Sequence, residues 1–356
     1  MLYGGERMIA TMFMYNSANI KARSLYGKLL SADDYSELLD RRTVGDVAAY
    51  LKKNTEYGHL LSDINENMVH RGNLERVLKT SLFEDYFKFF RFLSGSNVEF
   101  LKAVSLRHEA EDLKMLLRVI YNGQNAEAFR ESLIFLSSYS TLDFKKLASA
   151  KNIPGVIDFL KGTEYYKVLL PFKTANKKIN LFDIEMALDM HYFIKIGRLM
   201  EKLLSGGNFK AVEDMLGVQI DIANLLLIYR CKKLLRLPGE LISKYIIPNW
   251  YHLTREQLVQ ISRCRDTEEF RTLVAKTKYK GIFENSSDPD LENNSMNYMY
   301  KVFKRHLRKD VFNIGTIIAY LHLKEIDIRN IITLIEGVRY SIPKEEIKSY
   351  LIGINT

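Results

Sequence analysis

The chain has 356 residues, of which 47% are hydrophobic and 12% aromatic, and its formal net charge is +9. That length exceeds the roughly 100–200 residues of one ordinary domain, so we expect two or three domains. Only six prolines and nineteen glycines interrupt the runs in which Leu, Ile, Lys and Glu recur at helical spacing. This pattern predicts an all-α fold and excludes a disordered chain.

Several classes of protein are excluded by what the sequence lacks. No apolar run approaches the roughly 18–20 residues that span a bilayer, so we expect no membrane-spanning helix. The apolar stretch at residues 8–15 has no small-residue cleavage pattern, which argues against a secretory signal. Cys231 and Cys264 are the only cysteines, too few for a disulfide framework or a zinc site, and they fit a cytoplasmic protein.

The positive charge leaves two interpretations open. An excess of Lys and Arg favours anionic partners, among them nucleic acid, lipid headgroups and acidic protein surfaces. The basic residues are dispersed along helical faces, however, and no zinc finger or aromatic-basic RNA motif is present. We therefore expect no nucleic-acid partner, and a helical-repeat scaffold that binds an anionic partner such as nucleic acid stays as the alternative.

Along the chain, the first recurring feature is a turn that follows a short helix. Thr43 is a suitable N-cap for a helix from Val44 to Lys53, which ends in a Thr-x-Tyr turn at Tyr57. The same turn recurs at Tyr165 and at Tyr279, after intervals of 108 and 114 residues. Because a catalytic tyrosine is needed only once, the repetition favours a structural role in which each ring is docked and its hydroxyl lies at the edge.

A second recurring feature is a glutamate on the helix that comes after each turn. A Leu-Glu or Ile-Glu pair places Glu75, Glu185 and Glu292 at similar points, each followed by an aromatic residue. Two kinds of feature that recur in one order at one period indicate internal duplication.

A third recurring feature is a helix face with two polar and two apolar side chains at i, i+3, i+4 and i+7. Its polar members are Glu109 with Asp112, Asp221 with Asn224, and Asp327 with Asn330, at intervals of 112 and 106 residues. Polar groups beside apolar ones are costly to bury unless they are hydrogen-bonded, so we predict repeated bonds between helices rather than a ligand site.

Together these features predict three helical units, at residues 1–103, 104–216 and 217–356, the last including the closing C-terminal helices. A weaker copy of the polar face, with Asn16 and Asn19, lies near the start of the chain, where Arg23 takes the last position. The helix with Asp327 is the fourth, closing copy. Gly337 is predicted to lie just beyond the end of that helix, and Pro343 to open a short terminal helix.

The motifs of enzymatic chemistry are missing. No G-x-x-x-x-G-K-S/T loop, H-E-x-x-H pair or G-x-S-x-G turn occurs, so we expect no catalytic, cofactor or metal site. Glu325 lies beside an apolar stripe with Arg329 one turn on, which predicts an i,i+4 ion pair. Such a pair would be either an internal lock or a contact surface.

The residues from Tyr320 to Asn330, with Lys324, Glu325 and Arg329 in the pattern Y-L-x-L-K-E-x-D-x-R-N, carry a family resemblance. Together with the Y-N-S-A-N start at residues 15–19, Leu29-Leu30 and the tripled helical region, they resemble the C subunit of the rotor in bacterial and archaeal V/A-type ATPases, which corresponds to the d subunit in eukaryotes. The resemblance covers essentially the whole chain. Arg23 departs from it, because the other units have an apolar residue at the matching position.

The resemblance implies a funnel of three similar helical bundles with pseudo-threefold internal repetition. The wide end would receive the tip of the central shaft, and the funnel would sit on the proteolipid (c/K-type) ring, in peripheral contact with the membrane-embedded sector on the cytoplasmic face. Such a rotor component transmits torque for ion transport and has no catalysis or cofactor of its own. Lys324, Glu325 and Arg329, which the other copies lack, would be the partner-contact or locking residues.

Overall fold

The computed structural model describes residues 17–63, 65, 71–124, 140, 142–174, 180–248, 250–284, 286–309 and 313–354. Every regular element in these ranges is a helix, which confirms the predicted all-α fold. Tyr15 and Asn16 of the N-terminal motif lie outside the described residues. None of the described helices is long and apolar enough to cross a membrane.

The described helices are numbered here in chain order. They are α1 (17–26), α2 (Ala32–Leu39), α3 (Val44–Asn54), α4 (Gly58–Leu61), α5 (Arg71–Phe92), α6 (Gly95–Tyr121), α7 (Phe144–Ala148), α8 (Ile153–Phe159), α9 (Glu164–Thr174), α10 (Leu181–Leu203), α11 (Gly206–Lys233), α12 (Gly239–Ile242), α13 (Arg255–Ser262), α14 (Thr267–Val274), α15 (Lys280–Phe283), α16 (Asp288–Lys309), α17 (Gly315–Arg339) and α18 (Lys344–Tyr350).

Three long helices, α6, α11 and α17, carry the predicted polar faces, and each packs against a helix with one of the predicted glutamates. Helix α6 packs against α10, and α11 packs against α16, so in both cases the partner follows in the chain. Helix α17 packs against α16, which precedes it, and also against α5, which lies more than 200 residues earlier. The C-terminal part of the chain therefore returns to the N-terminal part.

The three long helices begin close together. The Asn208 side chain of α11 accepts a hydrogen bond from the Ile314 backbone N–H at 2.9 Å and donates one to Asn97 of α6 at 3.4 Å. Gly95 and Gly206, the first residues of α6 and α11, have φ of 59° and 54°, a left-handed conformation that favours glycine. The turns before α6 and α11 thus place the N-terminal ends of these helices next to each other.

Buried tyrosine hydroxyls join the long helices to the Thr-x-Tyr turns. Tyr279 donates to Asp221 at 2.7 Å, and Tyr165 donates to Glu109. Tyr57 donates to Asp327 across 270 residues, also at 2.7 Å. We call these contacts the three acid–tyrosine joints, and in each of them burial raises the pKa of the tyrosine.

The joint at Asp327 has additional partners. The Tyr35 hydroxyl donates to its other carboxylate oxygen at 2.7 Å, and the Lys324 ammonium lies 3.9 Å from the centre of the Tyr57 ring. Burial raises the pKa of Asp327, and the nearby Lys324 charge and the two tyrosine hydroxyls oppose that rise. This joint holds the N-terminal helices on α17.

The asparagines of the polar faces clamp the backbone of two loops. Asn224 exchanges two hydrogen bonds with the backbone of Ile247, at 2.8 and 3.1 Å. Asn330 does the same with Ile352, at 2.8 and 2.9 Å. Because both groups of each amide are satisfied, these buried polar side chains fix the position of the loop at little cost.

The apolar core is divided in two. One cluster consists of buried apolar residues from the middle part of the chain, with Leu113 of α6 and Leu188 of α10 as its first and last members. The other cluster combines residues 18–104 with residues 193–352, so the N-terminal helices share their core with the C-terminal ones. This arrangement agrees with the packing of α17 against α5.

Two details differ from the sequence predictions. The predicted boundaries at 103/104 and 216/217 fall inside the continuous helices α6 and α11, and the neighbouring turns are at Ser94 and Ser205. The division into units stays a prediction, and these turns are where we propose that it falls. The prediction that Gly337 lies beyond the end of its helix was wrong, because α17 continues to Arg339. A Cβ at Gly337 would lie 2.4 Å from Ile347, so this glycine permits α18 to pack.

We predict that Tyr57→Phe lowers the free energy of unfolding by about 1–3 kcal/mol, because it leaves the buried Asp327 carboxylate short of one donor. Urea denaturation followed by circular dichroism measures this change. Tyr340→Phe, which removes an exposed hydroxyl, is the matched control and should change stability by less than about 0.5 kcal/mol. Equal stability of the two variants would contradict the structural role of the joint.

Candidate partner-binding cavity

A cavity of about 670 Å³ lies between the three long helices and two of their partners. Helices α5, α6, α11, α16 and α17 all contribute to its walls. The residues of the long helices that line it are Arg107, His108, Glu111, Asp112 and Met115 of α6, Gln219, Ile222, Ala223, Leu226 and Arg230 of α11, and His322, Glu325, Ile326, Ile328, Arg329, Ile332 and Thr333 of α17.

The long helices present matched sequence positions to the cavity. The positions are separated by 112 and 106 residues, the same intervals as those of the predicted polar faces. We define two levels by them, named in the order α6, α11, α17. The first level is Arg107, Gln219 and Glu325, and the second level is Glu111, Ala223 and Arg329.

The first level contains an ion pair between two helices. Arg107 of α6 donates to the Glu325 carboxylate of α17, whose side chain is 37% exposed. Enclosure by the protein would raise the pKa of Glu325, but the Arg107 charge and a hydrogen bond from His322 overcome that effect and hold the pKa well below its ordinary value. The carboxylate is therefore charged at neutral pH.

The predicted i,i+4 pair between Glu325 and Arg329 is not formed within the described parts of the chain. Arg107 reaches Glu325 from another helix and takes the position that the sequence assigned to Arg329. A neighbour on the same helix can be read from sequence, whereas a cation that arrives from a helix more than 200 residues away cannot. Arg329 instead lines the cavity wall.

Two histidines flank the ion pair. His322 stacks on Phe303 with ring centres 4.4 Å apart and planes 8° apart, and its Nδ1 lies 3.6 Å from Glu325. Burial lowers the pKa of His322, and burial together with the Arg107 charge lowers the pKa of His108 to about 3. Both rings are neutral near pH 7, so Arg, Lys, Asp and Glu set the charge of the walls.

Lys324 does not face the cavity. It is 6% exposed, and its ammonium lies over the Tyr57 ring at the acid–tyrosine joint of α17. Burial lowers the pKa of this lysine, and the charges of Asp327 and Asp85 counteract part of that effect. Of the three residues predicted for partner contact or locking, Lys324 thus lies in a buried joint, while Glu325 and Arg329 line the cavity.

The predicted glutamates each meet an arginine. Glu185 binds Arg118 of α6 through two hydrogen bonds of 2.6 and 2.9 Å, and Glu292 lies 3.3 Å from Arg230 of α11. On α17 the matching position is Glu336, which would repel Glu75. Arg71 lies between the two glutamates and pairs with both.

Glu75, Asp112 and Glu292 also line the cavity, whereas Glu109, Asp221, Asp327, Asn224, Asn330 and the three turn tyrosines lie in the joints around it. Sequence reasoning missed Arg107 and Tyr35. The interval of 112 residues between Arg107 and Gln219, and of 106 between Gln219 and Glu325, is the signal that could have identified Arg107.

The walls combine apolar side chains with charges held in ion pairs. Within the described ranges, no group of three or more His, Cys, Asp or Glu side chains is arranged to hold a metal ion.

The two ends of the long helices differ. Three large apolar side chains are exposed at or just after the C-terminal ends of the long helices: Tyr121 is 46% exposed, Leu234 69% and Tyr340 65%. Their spacing is within one residue of the 112- and 106-residue intervals between the long helices. Near their N-terminal ends, the last turns of α16 carry the basic residues Lys301, Lys304, Arg305, Arg308 and Lys309 around a shallow depression.

Comparison with known proteins identifies related chains over almost the whole length. The model of the ATP synthase (C/AC39) subunit family matches residues 18–350. The C subunit of an A-type ATP synthase from Methanocaldococcus jannaschii is 24% identical over 357 residues, covering 98% of this chain and 88% of the relative. The corresponding proteins of Methanosphaera stadtmanae and Archaeoglobus fulgidus are 27% and 23% identical, covering 97% and 99% of this chain and 90% and 98% of the relatives.

The family match extends over far more than half of the chain, and it includes the three long helices, their partner helices and the cavity between them. The chain therefore belongs to the ATP synthase (C/AC39) subunit family.

Proposed function

We propose that the protein is the non-catalytic central-stalk component of a rotary V/A-type ATPase, which couples the rotating shaft to the membrane proteolipid ring on the cytoplasmic face. Family membership supports a place in that complex. The cavity between α6, α11 and α17 is the single observation that carries the coupling role, because it offers a walled socket for the tip of a shaft.

We further propose that the chain forms three similar units around a pseudo-threefold axis, with the shape of a funnel. The acid–tyrosine joints at matched positions support three units. The hydrogen bonds of Asn208 to the starts of α6 and α17 support a narrow end at the N-termini of the long helices. The wide end would then be at their C-termini.

The two ends suit two different partners. The exposed Tyr121, Leu234 and Tyr340 would contact the shaft around the mouth of the cavity, since large apolar side chains are enriched at protein interfaces. The basic residues at the end of α16 would face the ring and the anionic surface around it. A stable contact at each end requires roughly 1,600 Å² of buried surface in total.

We predict that the purified protein binds the shaft subunits or the proteolipid ring of its enzyme and has no ATPase activity alone. Gel filtration of mixtures and a phosphate-release assay measure the two properties. Intrinsic ATP hydrolysis, or failure to bind either partner, would contradict the proposal. Salt-sensitive binding to DNA or RNA, with no affinity for ATPase subunits, would favour the scaffold alternative.

We predict that Glu325→Ala lowers stability by about 1 kcal/mol, because it leaves Arg107 without its carboxylate in a partly solvated cavity. Arg329→Ala should leave stability within about 0.5 kcal/mol and weaken shaft binding. Thermal melting and calorimetric titration with the shaft measure these effects. Glu346→Ala and Arg198→Ala are exposed controls on α18 and α10. Unchanged melting and unchanged binding in both cavity variants would remove these residues from the account.

A further inference from the structure

The three long helices present side chains of different charge to the cavity. Along α6, the charge changes from positive at the first level to negative at the second, and along α17 it changes from negative to positive. On α11 both positions are uncharged, Gln219 and Ala223. Because equivalent positions of the three helices carry different side chains, the charge distribution of the cavity walls has no threefold symmetry.

One charge on the walls is left for a partner. Arg107 and Glu325 pair with each other at the first level, and Glu111 at the second level accepts from Lys114 at 2.8 Å. Arg329 has no carboxylate within 4.0 Å among the residues that the structure describes, although it is only partly exposed and lines the cavity. A guanidinium in such a place suits an acidic side chain of the occupant.

The neutral wall suits an apolar occupant surface. Ile222 and Leu226 of α11 lie beside Met296 and Met299 of α16 on the cavity wall. Methionine side chains adapt to the shape of an apolar partner. The cavity therefore has one region for apolar side chains and, at Arg329, a separate point for a carboxylate.

The size of the cavity indicates what enters it. One turn of an α-helix with its side chains, about 5.4 Å long and 10–12 Å wide, occupies roughly 400–600 Å³. A cavity of about 670 Å³ thus has room for at least one turn. Because the hydrogen bonds of Asn208 join the N-terminal ends of the long helices, a helix would enter between their C-terminal ends, with its own end inside the cavity.

We propose that the cavity accepts the end of an amphipathic helix in one rotational orientation, with its apolar stripe against α11 and α16 and a carboxylate at Arg329. This inference rests on the proposed function, in which the helix belongs to the shaft. It adds that three similar units build a socket with a single seating. A socket with three identical walls would hold the shaft equally well after rotations of about 120°, whereas this one fixes the shaft relative to the ring.

A photo-crosslinking amino acid at Met115, Leu226 or Thr333 tests the proposal, because each position lines the cavity from a different long helix. Each full-length variant is mixed with the shaft subunits of its enzyme, irradiated and mapped by mass spectrometry. We expect three sets of crosslinked shaft residues that do not overlap, with apolar residues at the Leu226 position. The same shaft residues at all three positions would overturn the single seating while leaving the socket itself supported. Absence of any complex would overturn both proposals.

A second variant tests the cause of the single seating. Gln219→Glu with Ala223→Arg puts two charges on the α11 wall that receives the apolar stripe, so the single seating loses its apolar contact there. We expect the Leu226 probe to lose at least nine tenths of its crosslinks to apolar shaft residues in this background. Gln260→Glu with Ala275→Arg makes the same charge change at exposed positions outside the cavity and should keep these crosslinks. Unchanged crosslinks in the Gln219→Glu, Ala223→Arg variant would overturn the role of the two levels.

Discussion

The structure depends on one kind of contact, a buried carboxylate on a long helix that accepts a hydrogen bond from the tyrosine of a Thr-x-Tyr turn. Burying a carboxylate without hydrogen-bond donors destabilises the fold. Each buried acid therefore favours the packing in which the tyrosine of a Thr-x-Tyr turn can donate to it. At Asp221 and Glu109 the turn follows in the same part of the chain. At Asp327 the donors are Tyr35 and Tyr57, so this joint ties the first helices to the last long one and places all five cavity-lining helices around one space.

The proposed role as a rotary coupler requires contacts that recur from unit to unit and side chains that differ between units, and the two kinds lie in different layers of this molecule. The joints, the asparagine clamps and the turns at the helix starts recur, and packed helices held by them are stiff. The cavity-facing side chains differ from wall to wall. On this account, the outer layer gives the funnel its form, and the inner layer determines how the shaft is seated.

The sequence predicts the helices and the polar faces because they are local patterns with a helical period. It predicts the Thr-x-Tyr turns because they are a short motif that recurs. Which acid receives which tyrosine is not local: nothing near Tyr57 indicates that its acceptor is Asp327. The same reason explains the error at Glu325, where helix geometry pointed to Arg329 and a helix from elsewhere supplied Arg107. The cavity itself depends on the distances between packed helices, which the sequence does not state. The prediction that Gly337 ends its helix was wrong because a glycine is needed there for the close approach of Ile347, a contact between helices that the local sequence does not reveal.

A circular permutant tests most directly whether the N-terminal helices complete a unit with α17. Joining residue 356 to residue 1 and opening the chain before Gly95 gives three units, each with its long helix first. The account predicts a folded all-helical protein with one cooperative thermal transition close to that of the original chain. A permutant without a cooperative transition would contradict it.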